Sequence, residues 1–293
     1  MGEALHDGPD RGARALIRVA EPFHAITYYS PEMADLTAYG YKGWWHAYFG
    51  YRPAPMGAVN AGAVTAAFYN FAPRMVERAV PGVWAIRSPE ATVALRLERV
   101  QAAIGRIFAD GAFADEIRSA VDLLRPAVEG CAAEGRPVYA AYDELAWPDE
   151  PTLALWHATT LVREHRGDSH NLALAAAGVD AVSSHVLMAG RGHGNQPTIT
   201  AIRGFTDDEW AAGVDRLVAR GWAEPDGSLT SSGLEGRSAI ERHTDELASA
   251  PAERLGVAGV DHVVGFLGPI VNHLRDSGEV SGAWPPPHLL KPA

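Results

Sequence analysis

The segment of residues 205–233 reads FTDDEWAAGVDRLVARGWAEPDGSLTSSG and carries the clearest local signals for the fold. Thr206 with Glu209 three positions later is the capping box that opens a helix. Pro225-Asp226-Gly227 predicts a tight turn between two short strands, and Thr230 predicts the cap of a further long helix. The segment therefore predicts a helix, a small β-hairpin and a second helix.

This order of elements resembles the winged-helix core of MarR-like regulators. In those proteins a helix ends in Arg-Gly, a β-wing follows, and a Leu-Thr-x-x-Gly step leads into the dimerisation helix; the resemblance covers residues 205 to about 250. Two further motifs, VREHRGDSH (162–170) and FYNFAP (68–73), resemble those of an actinobacterial group of MarR-like helix-turn-helix proteins. The resemblance implies a winged-helix fold but carries no established activity.

Internal similarity predicts that this unit occurs twice. Trp84 and Trp222 are 138 positions apart, and at that offset VERAVPGVW (76–84) lies over VDRLVARGW (214–222). Identities are otherwise sparse, so chance similarity between two alanine-rich helical segments is the alternative. A tandem duplication predicts a mainly α fold with small β-wings, in which two winged-helix-like halves form an intramolecular MarR-type pseudo-dimer.

Domain boundaries follow from the proline-rich stretches near residue 148. We expect a degenerate, aromatic-rich first half at residues 11–147 and a second half at residues 148–280 that carries the charged motif. Residues 281–293 form a proline-rich tail. Each half is long enough to bury a hydrophobic core of its own.

The overall charge argues against a protein whose affinity depends on phosphates. The chain has 293 residues, with 36 acidic against 25 basic side chains and a formal net charge of −11. A groove-reading helix normally presents basic and amide side chains. Here that place is taken by aromatic residues in one half and by Asp207, Asp208 and Glu209 in the other. Sequence-specific DNA is therefore the less favoured partner.

Cysteine content and hydropathy favour the cytoplasm. Cys131 is the single cysteine, which excludes an intramolecular disulfide and a cysteine-based zinc site. The first residues do not form an export signal, and no run of 18 apolar residues is present. We expect a cytoplasmic protein without membrane association, and the sequence leaves its oligomeric state open.

The charged motif at residues 161–170 is the first candidate site. It supplies two carboxylates and two imidazoles, the groups used in acid/base catalysis and metal binding: Glu164, His165, Asp168 and His170. Three interpretations stay open: a catalytic site, or a metal or haem site with His165 and His170 as ligands; a buried network with the neighbouring arginines; and a set of hydrogen-bonding groups for a polar ligand. The spacing matches no standard metal motif, and Gly167 is expected to interrupt the helix.

Aromatic residues supply the second candidate site. They offer more ring area than a small half-domain needs, and aromatic walls with a few polar groups are typical of small-molecule sites, although a hydrophobic core is the alternative. We expect the ligand to be bound by His24, Tyr28, Tyr29, Trp45, Tyr48, Arg52, Phe68, Tyr69, Asn70, Phe71, Trp156, His157, Arg163 and Arg166.

These observations favour a cytoplasmic protein of specialised metabolism that binds an aromatic or amphipathic small molecule on a MarR-derived scaffold that has lost DNA reading. If it is an enzyme, His165 or His170 transfers protons, and Asp168 or Glu164 orients the imidazole. One alternative is a ligand-responsive MarR-type transcriptional regulator. The other is an enzyme with a histidine-ligated metal or haem.

Overall fold

The computed structural model describes residues 12–34 and 36–280, and regular structure in these ranges is helical. Two short 3₁₀ turns, Leu36–Tyr39 and Ala54–Met56, lie between the α-helices. The α-helices are α1 (Ala13–His24), α2 (Ile26–Tyr29), α3 (Pro31–Ala34), α4 (Trp44–Tyr51), α5 (Ala61–Phe68), α6 (Pro73–Glu77), α7 (Val83–Ile86), α8 (Pro89–Ile107), α9 (Ala114–Val128), α10 (Pro137–Asp143), α11 (Pro151–Ala176), α12 (Ala181–Ala189), α13 (Gln196–Arg203), α14 (Asp207–Ala219), α15 (Ser231–Leu247) and α16 (Ala250–Asp276).

Two main hydrophobic cores hold these helices together. The larger core contains residues from α1 to α10, the first part of α11, and α16. The smaller core contains the end of α11 together with α12, α13, α14 and part of α15. The four helices α1, α9, α11 and α16 pack on one another. The last described helix therefore completes the core of the first part of the chain.

The predicted division of the chain at residue 148 stays a prediction. Residue 11 and the predicted tail at residues 281–293 lie outside the described residues.

Helix α11 runs without a break through the charged motif, so the expected interruption at Gly167 is wrong. A Cβ at Gly167 would lie 3.2 Å from Nη1 of Arg163. The glycine thus makes room for a guanidinium group packed against the helix, at a helix-propensity cost of about 1 kcal/mol relative to alanine. At the start of α11, the Glu150 carboxylate accepts hydrogen bonds from the N–H groups of Thr152 and Leu153.

Helices α13 and α14 form a helix-turn-helix. Helix α13 ends at Gly204, whose φ of 77° lies in the left-handed region that suits glycine. Thr206 and Glu209 then form the predicted capping box at the start of α14, which confirms that prediction. A short turn with a glycine between two helices is typical of helix-turn-helix motifs.

A second pair of helices, α5 and α6, is joined by a similar turn at residues 69–72, and the two turns touch each other. The N–H of Ala72 donates a hydrogen bond of 2.9 Å to the carbonyl of Arg203. Arg74 forms an ion pair with Glu209, with Nη1 2.7 Å from Oε1. The two helix-turn-helix units therefore contact each other at their connections.

The predicted β-wings are absent from residues 12–34 and 36–280, so the predicted fold class is wrong on this point. The predicted turn at residues 225–227 is flanked by one isolated antiparallel bridge, between Ala223 and Leu229, and the segment is too short for two strands. In the first half, Arg87 is the single residue between α7 and Ser88, which caps α8, so no room remains for a hairpin. The description as paired winged-helix halves is therefore corrected to a helical fold of the helix-turn-helix type.

Helix α16 is the single described helix that is long and apolar enough to cross a membrane, with a mean hydropathy of 1.4 in its best window. Helices α11 and α12 pass the same test only together, across a bend of 101°. Buried helices of ordinary cores also pass this test, and Val263, Leu267 and Leu274 of α16 are fully buried in the larger core. The length and hydropathy of α16 are therefore weak evidence that it spans a membrane.

We predict that Gly233→Ala destabilises the protein. A Cβ at this position would lie 1.9 Å from the backbone oxygen of Trp222, which cannot swing away as a side chain could. The free energy of unfolding in urea should fall by about 1–3 kcal/mol, the usual cost of overpacking.

Gly265→Ala in α16 is the matched control, because a Cβ there meets nothing within 4 Å. Its better helix propensity should raise stability by up to about 1 kcal/mol. Equal changes in the free energy of unfolding for the two substitutions would contradict the close packing of the Trp222 backbone on α15.

Candidate functional site

An aromatic cavity of about 320 Å³ lies between α1, α2, α4, α11 and the two turns. Its aromatic wall consists of Tyr28, Tyr29, Trp44, Trp45, Tyr48, Phe68 and Phe71. Its polar wall consists of Glu21, Arg52, Asn70, Arg163, Arg166, His170, Asn171 and Arg203. Ile17, Gly167 and Ile202 complete the lining. The size and the mixture of rings with a few polar groups are those of a small-molecule site.

Helix α4 provides much of the aromatic wall. Trp44 and Tyr48 are one turn apart on the helix and stack with ring centroids 5.2 Å apart. Trp45 meets Phe71 edge to face at 5.7 Å. Because the rings hold one another in these orientations, the wall of the cavity is formed before any ligand arrives.

Tyr69 has a strained backbone beside the cavity. Its φ is 59° and its ψ is −46°, a region that non-glycine residues rarely adopt. The Tyr69 hydroxyl donates a hydrogen bond of 2.6 Å to the carbonyl of Val179, which holds the residue in place. Its neighbours Phe68, Asn70 and Phe71 all line the cavity. Strain of this kind is typical of functional sites.

A buried ion pair lies beneath the cavity floor. The carboxylate of Glu164, which is fully buried, accepts hydrogen bonds from Arg52 Nε at 3.2 Å, Arg52 Nη2 at 2.8 Å and Arg163 Nη1 at 2.8 Å. Burial alone would raise the pKa of Glu164, but the charges of Arg163 and Arg52 outweigh it and hold that pKa well below its usual range. Glu164 is therefore an ionised partner of two arginines and belongs to the buried network.

Positive charge predominates in the cavity wall. Four arginines and one carboxylate, that of Glu21, line it. The guanidinium of Arg203 lies over the ring of Phe71 at 4.6 Å. Burial lowers the pKa of Arg203 to about 10, and the charges of Arg52 and Arg163 add to that effect. An anion in the cavity would relieve this repulsion between arginines.

His24 lies behind the wall and orients Tyr28. The hydroxyl of Thr160 donates to the carbonyl of Trp156 at 2.8 Å, so it accepts from His24 Nδ1 at 2.9 Å. His24 Nε2 then accepts from the Tyr28 hydroxyl at 3.1 Å. Burial lowers the pKa of His24 well below its usual value. The neutral imidazole thus leaves the Tyr28 oxygen as a hydrogen-bond acceptor.

Two of the predicted catalytic residues lie outside this cavity. His165 packs edge to face on the ring of Tyr139 at 5.0 Å, and burial lowers its pKa to about 4. Asp168 Oδ2 accepts hydrogen bonds of 2.9 Å from the N–H groups of Val138 and Tyr139, at the start of α10. Burial raises the pKa of Asp168 to about 7. These residues face away because successive side chains rotate around the continuous helix.

His170 alone of the four predicted catalytic residues lines the cavity. Its Nδ1 lies 2.9 Å from the hydroxyl of Thr244, and burial lowers its pKa to about 4. In the described part of the chain no group of three or more His, Cys, Asp or Glu side chains is arranged to hold a metal ion. His165 and His170, the predicted metal ligands, point to different neighbours.

The predicted ligand-binding residues divide into two sets. Those that line the cavity are Tyr28, Tyr29, Trp45, Tyr48, Arg52, Phe68, Asn70, Phe71, Arg163 and Arg166. Those that do not are His24, Tyr69, Trp156 and His157. His157 instead meets the ring of Trp147 at 4.7 Å, and Trp156 lies under the guanidinium of Arg96 at 4.9 Å. Their role in binding stays a prediction.

Sequence reasoning missed several lining residues, of which Trp44 and Arg203 matter most. The sequence could have predicted Trp44 as a lining residue, because it precedes Trp45 in the same aromatic segment. It could not have predicted Arg203, because Arg203 reaches the cavity only through the contact between the end of α13 and the turn before α6.

The paired helix connections and the cavity between them define a helix-turn-helix protein with an internal pocket. The model of a helix-turn-helix family matches residues 13–281, and the chain therefore belongs to that family. No curated protein matches the chain, and no solved structure matches it. The finer resemblance to MarR-like proteins and to their actinobacterial group stays a prediction.

We predict that Glu164→Gln strongly destabilises the protein. The amide keeps the size of the side chain but leaves Arg52, which is 6% exposed, without a countercharge. Removing one partner of a buried ion pair typically costs about 3–5 kcal/mol, which urea unfolding would measure.

Glu98→Gln is the matched control, because the Glu98 side chain is 61% exposed where it pairs with Arg99. Exposed pairs contribute little, so its unfolding midpoint should hardly move. A similarly small change for Glu164→Gln would show that the buried pair does not hold α4 against α11.

Proposed function

We propose that this protein is a cytoplasmic binder of a small aromatic anion, which occupies the cavity between α4, α11 and the two turns. The observation that carries the proposal is the excess of arginines in an aromatic-lined cavity, four against the single carboxylate of Glu21. Guanidinium groups bind carboxylate and phosphate oxygens with paired hydrogen bonds, and ring walls accept a flat apolar body.

Carboxylates already contact at least three of the four arginines. Arg52 and Arg163 share the carboxylate of Glu164, and Arg163 Nε also lies 3.5 Å from the carboxylate of Glu21. Arg166 bonds to Glu241 and Asp245, which belong to α15 and do not line the cavity. A ligand carboxylate would meet a lining with four guanidinium groups and one carboxylate, which favours its ionised form.

The geometry of the turns supports a ligand site over paired DNA reading. Recognition helices that read successive major grooves must lie about 34–36 Å apart. Here the turn that precedes α6 is joined to the end of α13 by the 2.9 Å hydrogen bond between Ala72 and Arg203. This turn and the end of α13 both contribute to the cavity, through Phe71 and Ile202 among others.

The surface of α14 also disfavours phosphate contact. Asp207, Asp208 and Asp215 are exposed on it. Arg216 is engaged with Asp180 at 2.6 Å. The guanidinium of Arg220 lies 3.7 Å from the ring of Trp222. A DNA backbone approaching this helix would meet more negative than positive charge.

We predict that the wild-type protein binds 2-naphthoate more tightly than its neutral analogue 2-naphthalenemethanol, as measured by isothermal titration calorimetry. Arg203→Gln should weaken 2-naphthoate binding about 10-fold or more, the loss expected for one hydrogen bond between charged groups. Binding of the neutral analogue should stay unchanged, because the ring wall is intact.

Arg118→Gln is the control, since Arg118 is exposed on α9 and pairs with Asp115 far from the cavity. Both probes should bind this variant as they bind the wild type. Equal affinity of the wild type for the anion and its neutral analogue, or no binding of either, would overturn the proposal.

Membership of the helix-turn-helix family favours one second candidate, a ligand-responsive transcriptional regulator. The direct test is selection from a random-sequence duplex DNA pool at about 0.15 M salt, where non-specific contacts are screened. Because of the acidic α14, we expect no sequence to be enriched. An enriched duplex that is released by 2-naphthoate would establish the regulator in place of a protein that binds the ligand alone.

A further inference from the structure

A second cavity of about 340 Å³ lies on another side of α11, between α5, α10 and α11. Its wall is mostly aliphatic, with Met56, Ala63, Ala67 and Leu172 among the lining residues. The polar groups of interest in this wall are Asp168 and Asn171. Tyr69 also lines the cavity, but its hydroxyl donates to the carbonyl of Val179, so the carboxylate and the amide of this mainly apolar space both lie on α11.

The Asp168 side chain is buried, at 3% exposure, and in the described part of the chain only one of its two carboxylate oxygens accepts hydrogen bonds. Its Oδ2 accepts both N–H groups at the start of α10, and within residues 12–34 and 36–280 Oδ1 accepts no hydrogen bond. No lysine, arginine or histidine in those ranges forms an ion pair with Asp168. A buried carboxylate without a cation is unusual, because the charge is costly to remove from water.

Asn171 supplies a second acceptor on the same helix face. Its Nδ2 donates a hydrogen bond of 2.9 Å to the carbonyl of Ala67, which fixes the orientation of the amide. The Asn171 oxygen is therefore left to accept. Asp168, Asn171, Leu172 and Ala175 follow the i, i+3, i+4, i+7 spacing of one helical stripe, and all four line the cavity.

We infer that this second cavity binds a small primary ammonium ion with an aliphatic body, with Asp168 Oδ1 and Asn171 Oδ1 accepting its N–H groups. An ammonium group has three donors and no acceptor, and it matches two oxygen acceptors, one of them charged. The aliphatic wall accepts the alkyl chain. A bound cation would also offset the cost of burying the Asp168 charge, which now raises the pKa of Asp168 to about 7. Asn171 also lines the aromatic cavity, whereas Asp168, which supplies the charge, lines only the second cavity.

The test is calorimetric titration with n-pentylammonium and with its neutral isostere pentan-1-ol. The wild type should bind the ammonium ion more tightly than the alcohol. Asp168→Asn keeps an oxygen to cap α10 and removes the charge, so it should weaken n-pentylammonium binding about 10-fold or more. Pentan-1-ol binding should stay the same in both proteins.

Two further variants keep the result interpretable. Ala63→Leu fills the cavity from α5 and should abolish binding of both probes, with circular dichroism showing the folded state. Arg118→Gln changes an exposed side chain on α9 that lines neither cavity, so it should leave n-pentylammonium binding unchanged. Equal ammonium affinity in the wild type and Asp168→Asn, or no ammonium binding by the wild type, would overturn the inference.

Discussion

The buried ion pair between Arg52 and Glu164 is the interaction on which the aromatic cavity depends. Removing two charges from water is costly, and here three N–H donors on one carboxylate offset that cost. The same guanidinium donates a hydrogen bond of 2.8 Å from Nη1 to the hydroxyl of Tyr48. One interaction thus fixes the end of α4, the middle of α11 and a ring of the cavity wall. Arg52 therefore lines the cavity and holds α4 against α11 at the same time.

Local signals in the sequence predicted local structure well. The capping box of Thr206 and the density of rings in α4 are each contained within a few residues, and both are present in the fold. Features that depend on distant partners escaped prediction. Gly167 was interpreted as a helix breaker because the packing of Arg163 beside it is invisible in the sequence. The wing was overpredicted because a turn signal does not reveal whether strands have room to pair.

The same difference between local and long-range features applies to the candidate sites. Most of the aromatic residues predicted to bind a ligand line one cavity, whereas the four ionisable residues of α11, which were treated as one group, contact different partners. A continuous helix turns about 100° per residue, so neighbours in the sequence face different partners. Glu164 faces Arg52, His165 faces Tyr139, and Asp168 faces the start of α10. The position of Asp168 relative to Glu164 and His165 could be foreseen only with the knowledge that Gly167 lies inside the helix.

The position of α16 in the larger core has a consequence for synthesis on the ribosome. Helix α9 packs against α16, and the two are separated by more than a hundred residues of chain. Until α16 has left the exit tunnel, the faces of α1 and α9 that pack on α16 lack that partner, and α11 is the helix already made that contacts both of them. Domains usually fold from the N-terminus as they emerge. In this protein the larger core is complete only after the last described helix has been made.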